Sequence, residues 1–302
     1  MKFKTFSNGK ILFTSEYFVL KGSLSLAIPT KYGQSFSFSE NDSGVINWKS
    51  FSSNGKLWFQ CKLKKDNLEC ITTSNHNLSN TLTTILKSAR QLNQSFFSDI
   101  LGGNVITKLD FPISWGLGSS STLINNISKW AKVDPFELLW SVFEGSGFDI
   151  ACAESKSPII YNLNNKNVVI KKIDFFPVFH KNLFFVHLNK KQNTNDSINF
   201  FFKKNFPKSI IDKLTKLTYD FIECEKLEEF QKCIIKHENI ISNALHLKPI
   251  KEDLFRDYNG EIKSLGAWGG DFILAAGSNS TIEYFNSKGY RTILKYKEMF
   301  HS

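Results

Sequence analysis

The chain has 302 residues, 41% of them hydrophobic, and a formal net charge of +10. That length can bury one large or two modest cores, and no apolar run reaches the ~18–20 residues of a membrane span. The basic balance is lysine: only Arg90, Arg256 and Arg291 are arginines. Arginine is the preferred fork for phosphates and base edges, and the lysines are scattered or in short pairs such as Lys64-Lys65 and Lys190-Lys191. They read as solvated faces that steer anionic substrates, without nucleic acid or membrane as a partner.

The first 60 or so residues read as strands and turns. Phe36 and Phe38 alternate with serines, as on a half-buried strand. Segments 45–51, 56–63 and 68–72 continue the pattern, and Asn54-Gly55 is a hairpin signal. The period then changes: Leu78, Leu82, Ile85, Ala89 and Leu92 fall on one helical face. Gly102-Gly103 ends that region, and Val105, Thr107, Leu109 and Phe111 alternate as a strand that stops at Pro112. Leu123, Ile124, Ile127, Trp130 and Ala131 mark the next helix, and Asp134-Pro135 starts another. Strands are predicted at 158–163, 167–173 and 183–188, two helices over 207–246, and a strand, helix and strand near 272–276, 280–288 and 291–296.

Cys61, Cys70, Cys152, Cys224 and Cys233 are odd in number and contain no C-x-x-C pair, against a disulfide framework or a zinc site. Lys2 and Lys4 precede an apolar stretch that soon meets Glu16, which is not a secretory signal. A soluble cytoplasmic protein is expected.

Four constellations could carry chemistry. Trp115-Gly116-Leu117-Gly118-Ser119-Ser120-Ser121 lies directly before an apolar-periodic run. Glycines let backbone approach a ligand, and a helix N-terminus offers unpaired N–H groups and a positive dipole end to a phosphate. The loop has neither the Walker A pattern nor the third glycine of a dinucleotide fingerprint. Asn8-Gly9-Lys10 leads to Glu16-Tyr17, so a lysine and a glutamate sit close in sequence. Gly145-Ser146-Gly147-Phe148-Asp149 puts an aspartate just past a tight turn, as a general base or as a helix cap. Gly266-Ala267-Trp268-Gly269-Gly270-Asp271 enters an apolar strand, as a plain turn or as backbone packed on another loop or ligand.

In this order the four motifs resemble the GHMP kinase superfamily, over residues 8 to 276. Asn8 to Leu20, with Ala27-Ile28-Pro29-Thr30, is similar to the first motif in its phosphomevalonate kinase form, and Gly145 to Ala151 is similar to the "GYDIA" group with Phe148 for tyrosine. The resemblance implies an α+β, two-domain fold. A ribosomal-protein-like N-terminal domain would span 1–165 and a ferredoxin-like α/β sandwich 166–302. It implies transfer of the ATP γ-phosphate, with Mg²⁺, to mevalonate or phosphomevalonate. Diphosphomevalonate decarboxylase, a non-catalytic nucleotide-binding homologue and a kinase of another alcohol or sugar are the alternatives, and a homodimer is compatible with the family. By resemblance Asp149 and Lys10 are catalytic, and Gly116, Leu117, Gly118, Ser119, Ser120 and Ser121 bind ATP. Ser120 would also ligate the metal, while Glu16, Gly147, Gly266, Trp268, Gly269 and Gly270 would line the substrate. Trp268 departs from the small residue usual in the family. The helix glutamate of mevalonate kinases falls on Leu138, with Glu137 one position off. Lys191, Gln192, Thr194 and Ser197 follow a predicted strand as further substrate candidates.

Overall fold

The computed structural model describes residues 2–189, 201, 204–266 and 271–301. Trp268, Gly269 and Gly270 lie outside the described residues, as do Lys191, Gln192, Thr194 and Ser197. The chain forms two compact units that interleave in sequence. Met1–Gly9, Tyr32–Ile113 and Leu117–Glu154 make the first; Lys10–Lys31, Ser114–Gly116 and Ser155–Ser302 make the second.

The strands that contribute to the first unit are β1 (Lys2–Leu12, as far as Gly9), β2 (Ser25–Asn41, from Tyr32), β3 (Val45–Phe51), β4 (Leu57–Lys64), β5 (Cys70–Thr73) and β6 (Gly102–Leu109). They run in the order β5-β4-β3-β6-β2, with β1 also paired to β2; β3 and β6 are parallel. The β3–β4 hairpin turns at Asn54-Gly55, where Gly55 has φ +80° and Ser52 N–H donates to the Lys56 carbonyl. Gly102 and Gly103 open β6 for a packing reason. A Cβ on Gly103 would overlap the Phe38 ring, and one on Gly102 would press on the Val45 carbonyl.

The helices α1 (His76–Leu92), α2 (Ser119–Ala131), α3 (Pro135–Val142) and α4 (Phe148–Glu154) belong to the same unit. In α1, Leu82, Ile85 and Ala89 are buried as their spacing predicts, but Leu78 and Leu92 in the end turns stay exposed. Asp134 caps α3 by accepting from the Phe136 and Glu137 amides, with Pro135 in the first turn. The inward alternation of β2 meets α2 at Trp130, whose ring lies 5.3 and 4.8 Å from Phe36 and Phe38 and 4.9 and 5.2 Å from Phe96 and Phe97.

The buried side of α2 is also polar. Asn126 donates to the Gln34 carbonyl and accepts from Ser7 Oγ; Asn125 donates to the same Ser7 hydroxyl. Asn126 is satisfied through both its oxygen and its nitrogen, while Asn125 is held through its nitrogen and its Oδ1 stays unpaired. The network ties the helix to β1 and β2.

In the second unit Ser25–Ala27 of β2 pair with β7 (Ile159–Asn164), and β7 pairs with β8 (Asn167–Lys172). An antiparallel sheet runs β10 (Gly260–Ser264), β11 (Phe272–Gly277), β9 (Leu183–His187), β12 (Ile293–Lys295). Its helices are α5 (Lys208–Glu223), α6 (Leu227–Leu245), α7 (Ile250–Leu254), α8 (Thr281–Ser287) and α9 (Tyr296–Met299). Strands β9 and β11 are buried along their whole length, as strands covered on both faces are. Phe184, Val186 and Ile273 join Phe255, Tyr258 and Phe285 on one side, while Phe185 meets Tyr296 and Phe300 on the other.

Among the described residues all five cysteines are free thiols, and no helix is long and apolar enough to cross a membrane.

Trp130→Ala removes the ring around which the first unit's aromatic residues gather. It will cost about 3–5 kcal/mol, the range for truncating a large buried aromatic, read from the denaturant midpoint.

Candidate functional site

The segment before α2 is a short 3₁₀ turn, Ile113–Trp115, followed by Gly116 at φ +66° and Gly118 at φ +92°. Both glycines occupy the left-handed region, where a Cβ is disfavoured. Gly118 is the N-cap of α2, and no side chain caps the helix. The Gly118 carbonyl accepts from the Thr122 amide at 3.0 Å and from Ser121 Oγ at 2.9 Å. The helical hydrogen bonds therefore begin at Thr122, and the amides of Ser119, Ser120 and Ser121 precede the ladder. Ser121 and Leu117 are buried, Ser119 is half-buried, and Ser120 is exposed. A helix start of this kind, with no side chain over it, suits an anion.

Asp149 lies in the same unit, on α4. The α4 helix is seated on α2 through the core that Ile150 shares with Ile124 and Ile127. The Ala151 amide donates to the Gly147 carbonyl, so Gly147, at φ +80°, holds the cap position. Asp149 sits in the first turn, half-buried, with Oδ1 3.1 Å from the Ile150 amide nitrogen. Of the two roles open to this carboxylate, the cap position is already taken by glycine.

In the second unit three of the sequence motifs meet. Lys10 Nζ donates to the Gly116 carbonyl at 3.0 Å. His187 Nε2 donates to the Ser114 carbonyl at 3.0 Å, while its Nδ1 lies 3.3 Å from both the amide nitrogen and the Oδ1 of Asn189. Trp115 meets Phe272 edge-on at 5.5 Å. A Cβ on Gly116 would overlap the Asp271 carboxylate, so this glycine allows a close approach of the third motif. Asp271 itself has φ +53°, and its carbonyl accepts from the Leu188 amide at 2.8 Å. Gly266 ends the described stretch after β10 at φ +66°.

Glu16 is fully buried, in a cluster with Lys263, His237, Glu238 and Ser264. Its Oε1 accepts from Lys263 Nζ, and its Oε2 lies 3.3 Å from His237 Nε2. Ser15 N–H donates to that same His237 nitrogen at 2.9 Å, and Ser264 Oγ donates to Glu238 Oε2 at 2.9 Å. Burial pushes the Glu238 carboxyl up to about 8, with Lys263 drawing it back and Glu16 adding to the rise. Burial also raises Glu16, which Lys263 partly offsets, and lowers His237 well below its ordinary value, helped by the Lys263 charge. The cluster is therefore arranged around one ion pair, a neutral imidazole and a carboxyl that keeps its proton into mild alkali.

His187 and Lys263 carry no motif in the sequence. Their only mark is position: a polar residue closing the apolar run Leu183-Phe184-Phe185-Val186, and a lysine three residues before Gly266. Among the described residues no group of three or more His, Cys, Asp or Glu side chains could hold a metal by itself. The Ser120 hydroxyl and the Asp149 carboxylate are oxygen donors of the kind that magnesium takes.

No family model matches the chain, and no curated protein matches it in sequence. Solved structures match it in fold. A mevalonate kinase superposes with a TM-score of 0.70 at 17% identity, over 99% of this chain and 100% of its own. The phosphomevalonate kinase of Streptococcus pneumoniae, in complex with phosphomevalonate and AMPPNP, gives 0.69 at 13% identity, over 97% and 99%. The galactokinase of Lactococcus lactis, complexed with galactose, gives 0.67 at 12% identity, over 97% and 92%. The chain has the GHMP kinase fold.

Gly116→Ala will destabilise the protein by about 1–3 kcal/mol in chemical denaturation, from left-handed strain plus the overlap with Asp271. Adding Asp271→Ala will recover part of that loss, since the overlap is then gone. For Glu238, the folded value of about 8 lies above the ordinary 4.5. The folded state thus keeps a proton that the unfolded state releases, and this group's contribution to stability falls as pH rises from about 4.5 to 8. Glu238→Gln keeps the bond to Ser264 and cannot ionise. Its stability relative to the parent will rise across that window, measured by denaturant titrations at a series of pH values.

Proposed function

We propose that the chain is an ATP-dependent small-molecule kinase of the GHMP type, with mevalonate or phosphomevalonate as acceptor. The observation that carries the reading is the uncapped N-terminus of α2 behind Gly116 and Gly118, with Asp149 on a helix packed against α2. Phosphoryl transfer asks a protein mostly to position its reactants and to stabilise charge. The amides of Ser119, Ser120 and Ser121 would bind the ATP phosphates. Mg²⁺, held by Ser120, would supply neutralising charge when bound.

With mevalonate, the acceptor oxygen bonds to the γ-phosphorus as the bond from that phosphorus to the bridging oxygen breaks and ADP leaves, and Asp149 takes the hydroxyl proton. With phosphomevalonate the acceptor oxygen is already anionic, and Asp149 orients it instead. Lys10 places a cation beside the Gly116 carbonyl and offsets charge on the transferred group. By the resemblance Gly147 and Gly266 would line the substrate, as would Trp268, Gly269 and Gly270. Both isoprenoid kinases and a sugar kinase share this fold, and the ordered motifs at Asn8–Leu20 and Gly145–Ala151 favour the isoprenoid acceptors.

A coupled assay of ADP release with mevalonate, phosphomevalonate and galactose tests the assignment. Turnover is expected with one of the first two and not with galactose; silence with both sinks it. Asp149→Ala will lower kcat on a hydroxyl acceptor by about 10²–10⁴-fold. Thermal stability will change little, because the side chain is only half-buried.

A further inference from the structure

Glu16 and Lys263 lie 247 positions apart in sequence, yet both are fully buried and share one ion pair. Such a pair is a poor source of stability, since desolvation offsets most of its attraction, but it fixes direction and register where an apolar contact can slide. What it joins is specific. Glu16 sits in a turn whose neighbours Ser15 and Tyr17 both have φ +62°, a strained conformation for residues other than glycine. His237 takes the Ser15 amide, and the Leu24 carbonyl takes the Ser15 hydroxyl. On the other side, Lys263 Nζ also donates to the Ser264 carbonyl at 2.9 Å, and Glu238 holds the Ser264 hydroxyl. Leu265 and Gly266 come immediately after. The turn after the Lys10 strand and the entry to the third glycine motif are therefore fastened to one buried ammonium.

We propose that Lys263 is a positioning residue: with Glu16 it sets the turn behind Lys10 and the entry into the Gly266 segment in one register. Its effect on catalysis rests on the kinase reading above; its effect on the two segments does not.

The test replaces the pair by a neutral one of similar volume, Glu16→Gln with Lys263→Met, so that no unpaired charge is left inside. Hydrogen exchange is followed at residues 14–17 and 265–266, with β9 and β11 as internal reference. Exchange at least tenfold faster in those two segments alone, with kcat down at least tenfold and KM for ATP within about twofold, is the expected result. Unchanged exchange overturns the proposal. Faster exchange with unchanged kcat makes the pair merely structural and overturns it too. If the double variant does not fold, Lys263→Met alone, which leaves Glu16 able to take up a proton, is read in the same way. If the parent protein turns over no acceptor, the kinase reading fails, and exchange alone decides the clamp.

Discussion

The carbonyls of Ser114 and Gly116 are each taken by a side chain from elsewhere in the second unit, before α2 begins. This constraint sets the backbone of the loop that leads into α2. A glycine-rich loop has many conformations to lose, and backbone ordering costs about 1–2 kcal/mol per residue. Here Lys10 and His187 hold the loop from one side, Trp115 packs on Phe272, and Gly116 admits Asp271 where any side chain would collide. The loop is thereby shaped largely by side chains from outside it. Gly118 and the first turn of α2, next along the chain, keep their amides ahead of the helical ladder.

How much of this can be read from the sequence differs by element. Where burial follows a simple period, the sequence is explicit: Phe36 and Phe38, the middle of α1, the Asp134-Pro135 start and the Asn54-Gly55 hairpin lie where their patterns place them. Periodicity works there because one face is apolar and the other wet. It says nothing for β10, whose five residues Gly-Glu-Ile-Lys-Ser look like a polar turn. That strand is buried because its lysine and serine are paired with Glu16 and Glu238, and pairing between distant residues leaves no local trace. The interleaving of the two units is hidden for the same reason. Nothing in residues 10–31 or 114–116 shows that they pack with residues beyond 154.

The site residues are legible as motifs, and their surroundings are not. Gly116, Gly118, Ser120 and Asp149 stand out by residue type and spacing. The sequence leaves Asp149 open between base and cap, and the hydrogen bond from Ala151 to Gly147 gives the cap to glycine. Glu16 stands out as an acidic residue close to Lys10 in sequence. The structure places it against a different lysine, Lys263, in full burial. His187 has no motif at all, because its role is to hold a carbonyl, and any donor of the right reach would look the same in a sequence.

The buried cluster adds a physical reason why a polar interior was kept there. With His237 neutral and Glu238 protonated, the only charges are those of Glu16 and Lys263, and they face each other. An interior of this kind tolerates one pair and little more, because each further charge carries a desolvation cost of several kcal/mol. Lys263 itself draws down both carboxyl values, against the rise that burial causes. Burial is the larger cause at Glu16, His237 and Glu238, and the Lys263 charge is second at each of them. That ammonium stands three residues before Gly266, at the point where the sheet gives way to the glycine-rich segment.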